Sequence, residues 1–297
     1  MLCAWFLYVP AGCTRSGSQG GEVPVFDGDR AFSHLTCQVE IGYRVPGMPG
    51  HRLTMEYLRD ALRQYADSAE VQQFHVTFED TTICLWNIIG HFKGVGSGWV
   101  VLGAHWDTRL LADEDPEPAN RSLPIAGAND GASGVAVLLE LARLMGETPP
   151  PLDVDIVLFD AEDQGGIANL PWCMGSSVYA RALEHPKPDY AIVVDMVGDR
   201  DLQIYVEANS ERFAYSVVQK VWNTAKSLGV SQFIHETKHT MYDDHIPLID
   251  AGVPSIVIID FDYPYWHTLE DTPDKCSPRS LEAVGKVLTA VIYETST

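Results

Sequence analysis

Residues 154–163 read VDIVLFDAED. The first six alternate or continue apolar residues, as in a buried strand. The stretch then sets Asp160, Glu162 and Asp163 within four positions. Ionised carboxylates repel one another and are costly to desolvate unpaired. A core strand with such an end needs compensation just beyond its last residue, and the rest of the chain indicates where that comes from.

The flanking segments alternate in kind. CLWNIIGHF (84–92), WVVLGAH (99–105), YAIVVDMVG (190–198) and PSIVIIDF (254–261) read as strands, like 154–161. LTMEYLRDALRQYA (53–66), RFAYSVVQKVWNTAKSLG (212–229, closed by Gly229) and RSLEAVGKVLTAVIYE (279–294) have helical spacing. SGVAVLLELARLMG (133–146) is a helix apolar nearly all round, so it is expected to be buried. Continuous Val/Ile/Leu strands between helices predict a single α/β domain. Its central sheet is mostly parallel, with helices on both faces.

Such sheets place their sites beyond the carboxyl ends of the strands. Several strands here end in ionisable residues: His105 and Asp107, Asp160 to Asp163, Asp195, and Asp260 with Asp262. The loops GANDGASG (127–134), YDDH (242–245) and YWHTLEDTP (265–273) add more. Acids gathered at one sheet edge need a cation, and histidines among them point to zinc.

Composition narrows the classes. Of 297 residues, 46% are apolar, Lys and Arg number 20, and Asp and Glu number 41, a formal net charge of −21. A nucleic-acid or anionic-membrane partner needs a basic face and is not expected. GxSxG, GxGxxG and GxxxxGK[ST] are absent, which removes the main support for serine-hydrolase, dinucleotide and P-loop chemistry. HETKH (235–239) matches HExxH. That motif works only on a helix, and this one follows a helix end in a β-like stretch, so it reads as a decoy. No CxxC pairs the six cysteines, and a thiolate zinc site is not expected. DEDPEPANRS (113–122) reads as a solvated acidic loop, with gating of a pocket as its other reading.

Residues 1–22 form an apolar patch ending in Ala11-Gly12-Cys13 and a Gly/Ser tether. They read as a lipoprotein-like signal, with Cys13 lipidated and the protein in a bacterial cell envelope, periplasmic or lipid-anchored. Residues 23–297 read as one catalytic domain.

Six segments in order, GAHWDTR, GANDGASGVAVLLELAR, FDAEDQG, VVDMVGD, DDHIPLIDAGVPSIVIIDF and YWHTLEDTPD, resemble the glutaminyl cyclases, bacterial ones most. More broadly they resemble the zinc aminopeptidase-like fold. The resemblance implies one Zn2+ held by Asp130, Asp163 and His267, with Glu162 as general base and acid. Asp195 and Asp243 would be a hydrogen-bonded acid pair near it, and Trp266 a pocket wall. Animal relatives have Glu where Asp163 stands, so the metal would lie closer to its strand here or the loop would shift. Three protein ligands leave a fourth position open, as catalytic zinc requires. Glu162 and Asp163, adjacent in an extended segment, would point different ways. The implied reaction closes the N-terminal Gln of a peptide to pyroglutamate with loss of ammonia.

Duller readings exist. Asp130 could cap the 133–146 helix, and Trp106 or Trp172 could be packing or pocket. A di-zinc aminopeptidase on the same fold would add His105 and Asp195 as ligands to a second ion bridged by Asp130. A chain that had lost catalysis would be an envelope binding protein.

Overall fold

A computed structural model describes residues 23–78 and 80–294. The lipidation reading at Cys13, with its tether, lies outside these residues. In chain order come α1 (Gly28–Ile41), α2 (Pro49–Arg63), β1 (Ser68–Phe78), β2 (Thr81–Phe92), β3 (Trp99–His105), α3 (Ala132–Glu147), β4 (Asp153–Phe159), α4 (Met174–Ala182) and β5 (Tyr190–Asp195). Then follow β6 (Ile204–Val206), α5 (Ala208–Ser227), β7 (Phe233–Thr237), α6 (His245–Asp250), β8 (Ser255–Ile259) and α7 (Pro278–Tyr293).

The main sheet has six strands in the order β1-β2-β4-β3-β5-β8. β4, β3, β5 and β8 run parallel, while β2 pairs antiparallel with both β1 and β4. The expected α/β architecture is therefore the observed one. Alternation along each strand sorts the core into two faces. Leu102, Ile156, Ile192 and Ile256 pack with α1, α3, α5 and α7. Their neighbours Val101, Val157, Val193 and Val257 pack toward α4 and α6. A side-chain period of two makes this division unavoidable once both faces are covered.

The all-apolar α3 is buried on nearly every side. It can lie close to the sheet because a Cβ at Gly134 would come within 2.1 Å of the Val194 carbonyl oxygen. Register then sets the site. His105 at the end of β3 stands opposite Phe159 at the end of β4, so the residues that follow both strands emerge side by side.

Some expectations change. β4 ends at Phe159 rather than running to 161, and Ala161 takes a left-handed conformation with φ 55°. Glu162 and Asp163 thus sit on a turn, not an extended segment. Asp160 leaves the acidic edge altogether. Both of its oxygens lie 2.9 Å from His51 Nε2, and one accepts from Trp86 N at 2.7 Å. His51 in turn stacks on Trp106, with ring centroids 4.6 Å apart. Trp106 is fully buried, so it is packing.

The 113–122 segment is not simply solvated. Asp115 is buried, and its carboxylate accepts from Leu269 N at 3.0 Å and Glu117 N at 3.0 Å. Backbone donors needing an acceptor override the solvent preference of the acid. Among the described residues Cys37, Cys84, Cys173 and Cys276 are free thiols. HETKH falls on β7 and the residues after it, with His235 outside any helix, so its two imidazoles do not share a helix face.

Two results follow. Asp160→Ala strands the His51 and Trp86 donors, and at about 1–3 kcal/mol for each unsatisfied group should destabilise the fold by about 2–6 kcal/mol in urea unfolding. Metal content, measured on the folded protein, should stay at the parent level. Replacing His235 and His239 together with Ala should likewise leave metal content unchanged, and a drop would reinstate the HExxH reading.

Candidate active site

Beyond β3, β4 and β5 the expected residues converge. Asp130, Asp163 and His267 each offer a ligand atom within 4.8 Å of the others, and all three are buried. His267 Nε2 is 2.9 Å from Asp163 Oδ1 and 3.6 Å from Asp130 Oδ2. A second group, His105, Asp130 and Asp195, meets the same criterion and shares Asp130. His105 Nε2 stands 3.1 Å from Asp130 Oδ1 and 3.0 Å from Asp195 Oδ1.

The local chain explains each placement. Asp130 precedes α3, but the helix N-cap is Gly131, with no side-chain cap. The carboxylate of Asp130 is therefore not spent on the helix and turns to the two imidazoles. Gly131 allows His105 to approach, since a Cβ there would lie 2.5 Å from His105 Cε1. Asp271, in the YWHTLEDTPD segment, holds the 129–130 backbone by accepting from Asn129 N at 2.8 Å and Asp130 N at 3.2 Å. Asp107 does the same for the turn after β4. Its oxygens accept from Glu162 N at 3.0 Å, Asp163 N at 3.3 Å and the Gln164 side chain at 2.9 Å. Arg44, fully buried, donates to the Trp106 and Ala126 carbonyls at 2.9 Å and ties these loops together.

Neither oxygen of Asp163 receives a hydrogen bond, although both are buried and Oδ1 stands beside His267. A buried carboxylate left this way is costly. Two carboxylates and an imidazole with atoms that converge but do not bond one another fit a cation with oxygen and nitrogen preferences, such as zinc. The electrostatics agree. Burial works against a charge on His267, yet Asp163, Asp113 and Asp130 hold its imidazole up at about 10. Burial also opposes charge on His105, and Asp195 leads the carboxylates that raise it well above its ordinary value. The pocket draws positive charge to this spot.

Glu162, Asp195 and Asp243 line one cavity of about 210 Å3 with Trp172, Phe261, Trp266 and His267. Burial pushes the Glu162 carboxyl well above its usual range; His105 opposes this, and Asp163, Asp244 and Asp243 add to the rise. Burial and the neighbouring Asp195 raise Asp243 to about 7. Asp195 and Asp243 face the same space, but their hydrogen bonds lead elsewhere. Asp195 pairs with His105, and Asp243 accepts from Asp244 N. Trp266 stacks on His267 at 3.8 Å between centroids, and Trp172 lies parallel to the same imidazole at 6.3 Å. Trp172 is thus pocket wall rather than core.

Left-handed backbone clusters here: Ala161 before Glu162, Met196 after Asp195, Cys173 and His267 itself. Each costs about 1–3 kcal/mol for a residue with a Cβ, and such strain gathers where a side chain must be aimed. Cys173, which the sequence reading counts among the six cysteines but gives no role in the site, donates its thiol to Glu162 Oε1 at 3.4 Å. Nothing in a lone WC dipeptide marks it.

Comparison with known proteins gives the family. The model of peptidase family M28 matches residues 87–292. A glutaminyl cyclase from Bacteroides thetaiotaomicron, solved with N-acetylhistamine bound, superposes with a TM-score of 0.88 at 36% identity, covering 93% of this chain and 100% of that one. A Zn-dependent exopeptidase from Parabacteroides distasonis gives 0.88 at 35% identity over 92% of this chain and 100% of that one. The glutaminyl-peptide cyclotransferase of Bothrops jararaca is 24% identical over 84% of this chain and 77% of its own length. A Bacillus subtilis aminopeptidase matches at 29% identity over 58% of this chain, which spans only 39% of that protein. The chain belongs to peptidase family M28 and, within it, resembles the bacterial glutaminyl cyclases.

Proposed function

We propose that this chain is a zinc-dependent glutaminyl-peptide cyclotransferase, acting on peptides and proteins with N-terminal Gln. The observation that carries the reading is a small aromatic pocket in which Glu162, a carboxyl of raised proton affinity, stands next to the converging ligand set. At about 210 Å3 the pocket is smaller than the ~300–1,000 Å3 of sites for drug-sized ligands. It suits one terminal residue of a longer substrate.

Zinc held by Asp130, Asp163 and His267 would supply Lewis-acid polarisation of the substrate γ-carbonyl. The remaining work falls to the chain. Glu162 takes a proton from the α-amine nitrogen as that nitrogen bonds the carbonyl carbon of the side-chain amide. It returns the proton to the departing amide nitrogen, which leaves as ammonia. A carboxyl tuned upward by burial suits both halves of that shuttle near neutral pH. Asp195, paired with His105, and Asp243, whose own proton affinity is raised, form the adjoining acidic wall.

Trp172, Phe261 and Trp266 enclose the side chain and exclude water, which would otherwise hydrolyse the amide to Glu. No protein nucleophile is required. Cys173, the thiol nearest Glu162, is held well above its usual range by burial and by that carboxylate. The substrate brings its own nucleophile, and its bound geometry does much of the rest.

A di-zinc aminopeptidase is the second reading, favoured by the convergence of His105, Asp130 and Asp195 on a second point. One assay separates the two. A Gln-initiated peptide incubated with the protein should lose the mass of one ammonia and release no amino acid. Release of free Gln instead would establish the peptidase. Glu162→Gln should lower kcat by about 10²–10⁴-fold with zinc content retained, and an unchanged rate would remove Glu162 from the reaction. His267→Ala should lower the zinc content itself.

A further inference from the structure

Arg109 and the acidic segment after it have no part in the reaction as proposed, yet they touch the ligand set from two directions. The Arg109 guanidinium is buried and forked onto Asp113, with Nε 2.8 Å from Oδ1 and Nη2 2.6 Å from Oδ2. Its remaining nitrogen, Nη1, donates to the backbone carbonyls of Asp163 at 2.9 Å and Gly165 at 3.2 Å. Its plane lies over the Trp172 ring, 5.0 Å from the centroid. Asp113 Oδ1, in turn, stands 3.4 Å from His267 Nδ1. The same segment grips the His267 loop twice more, through Glu114 N to the His267 carbonyl at 3.2 Å and Asp115 to Leu269 N at 3.0 Å.

We propose that Arg109 and Asp113 form a positioning brace that presets the metal site by fixing His267 and the Asp163 turn relative to each other. The inference rests on the zinc reading above. Asp113 fixes the imidazole tautomer. A proton on Nδ1 facing Asp113 leaves the Nε2 lone pair facing Asp130 and Asp163, as a ligand requires. Arg109 fixes the distance. One planar cation carries fork bonds to the carboxylate behind His267 and single bonds to the backbone bearing Asp163, so the two ligands cannot separate without breaking it. His267 has a left-handed backbone, φ 52°, so it depends on outside contacts to hold its aim. The grip on Trp172 extends the same brace to the pocket wall.

The test is zinc affinity measured by chelator competition, with thermal unfolding of the metal-free protein beside it. Asp113 is partly exposed, so Asp113→Asn should fold normally. It should bind zinc about 10–100-fold more weakly, the usual loss when a ligand's hydrogen-bond partner is removed. Arg109→Lys keeps the charge and loses the fork, and should weaken zinc in the same range. Both metal-free variants should melt near the parent. Parent-like zinc affinity in either variant overturns the brace alone. So does a zinc loss matched by an equal loss of metal-free stability, since the pair would then be supporting the fold and not the ligands. A parent that holds no zinc overturns the zinc reading and the brace with it.

Discussion

Asp130 lies between two imidazoles, 3.1 Å from His105 and 3.6 Å from His267, and the surrounding structure is arranged around its buried charge. Three parallel strands, β3, β4 and β5, bring Asp107, Glu162, Asp163 and Asp195 to the same edge, where the repulsion among them has to be balanced. The balance is local. Asp107 and Asp271 accept backbone N–H groups. Asp160 is turned away onto His51. Asp163 accepts no hydrogen bond and is met only by the charges of His267 at 2.9 Å and Arg109 at 3.7 Å, which is where the proposed cation would sit.

This division assigns different work to acids that look alike in the sequence. Asp107 and Asp271 shape loops, Asp160 supports the core beside Trp106, and Asp130 with Asp163 converges on the imidazoles. Glu162 is kept apart from both sets, bonded to the Cys173 thiol. Burial sets its proton affinity, which would be wasted if it ligated the ion. The pocket is aromatic because the proposed chemistry competes with water. Its small size matches the proposed entry of one substrate residue.

The sheet was legible because β3, β4, β5 and β8 are continuous apolar runs buried on both faces, a pattern few other structures require. α3 was legible for the same reason. β1 was not: SAEVQQFHVTF is an edge strand of mixed polarity, whose partner is decided by the β2 hairpin rather than by its own composition. α1, GDRAFSHLTCQVEI, carries too few apolar residues to stand out, and packs through Ala31 and Leu35. The converging residues could be named from their motifs. Their supports could not. Arg44, Arg109 and Asp113 act through backbone carbonyls and a side chain far along the chain, contacts that exist only after the loops close. The acidic run at 113–122 is largely exposed, as its acids and prolines suggest, and Asp115 is the buried exception. The donors that bury Asp115 belong to residues 117 and 269.

The most direct test is a crystal of the zinc-loaded protein measured at the zinc absorption edge, where anomalous scattering locates the ion. One strong peak within about 2.0–2.2 Å of a carboxylate oxygen from each of Asp130 and Asp163 and of His267 Nε2 is the predicted result. A peak elsewhere, at His235 and His239 or on a cysteine, or no peak among those three residues, would contradict it.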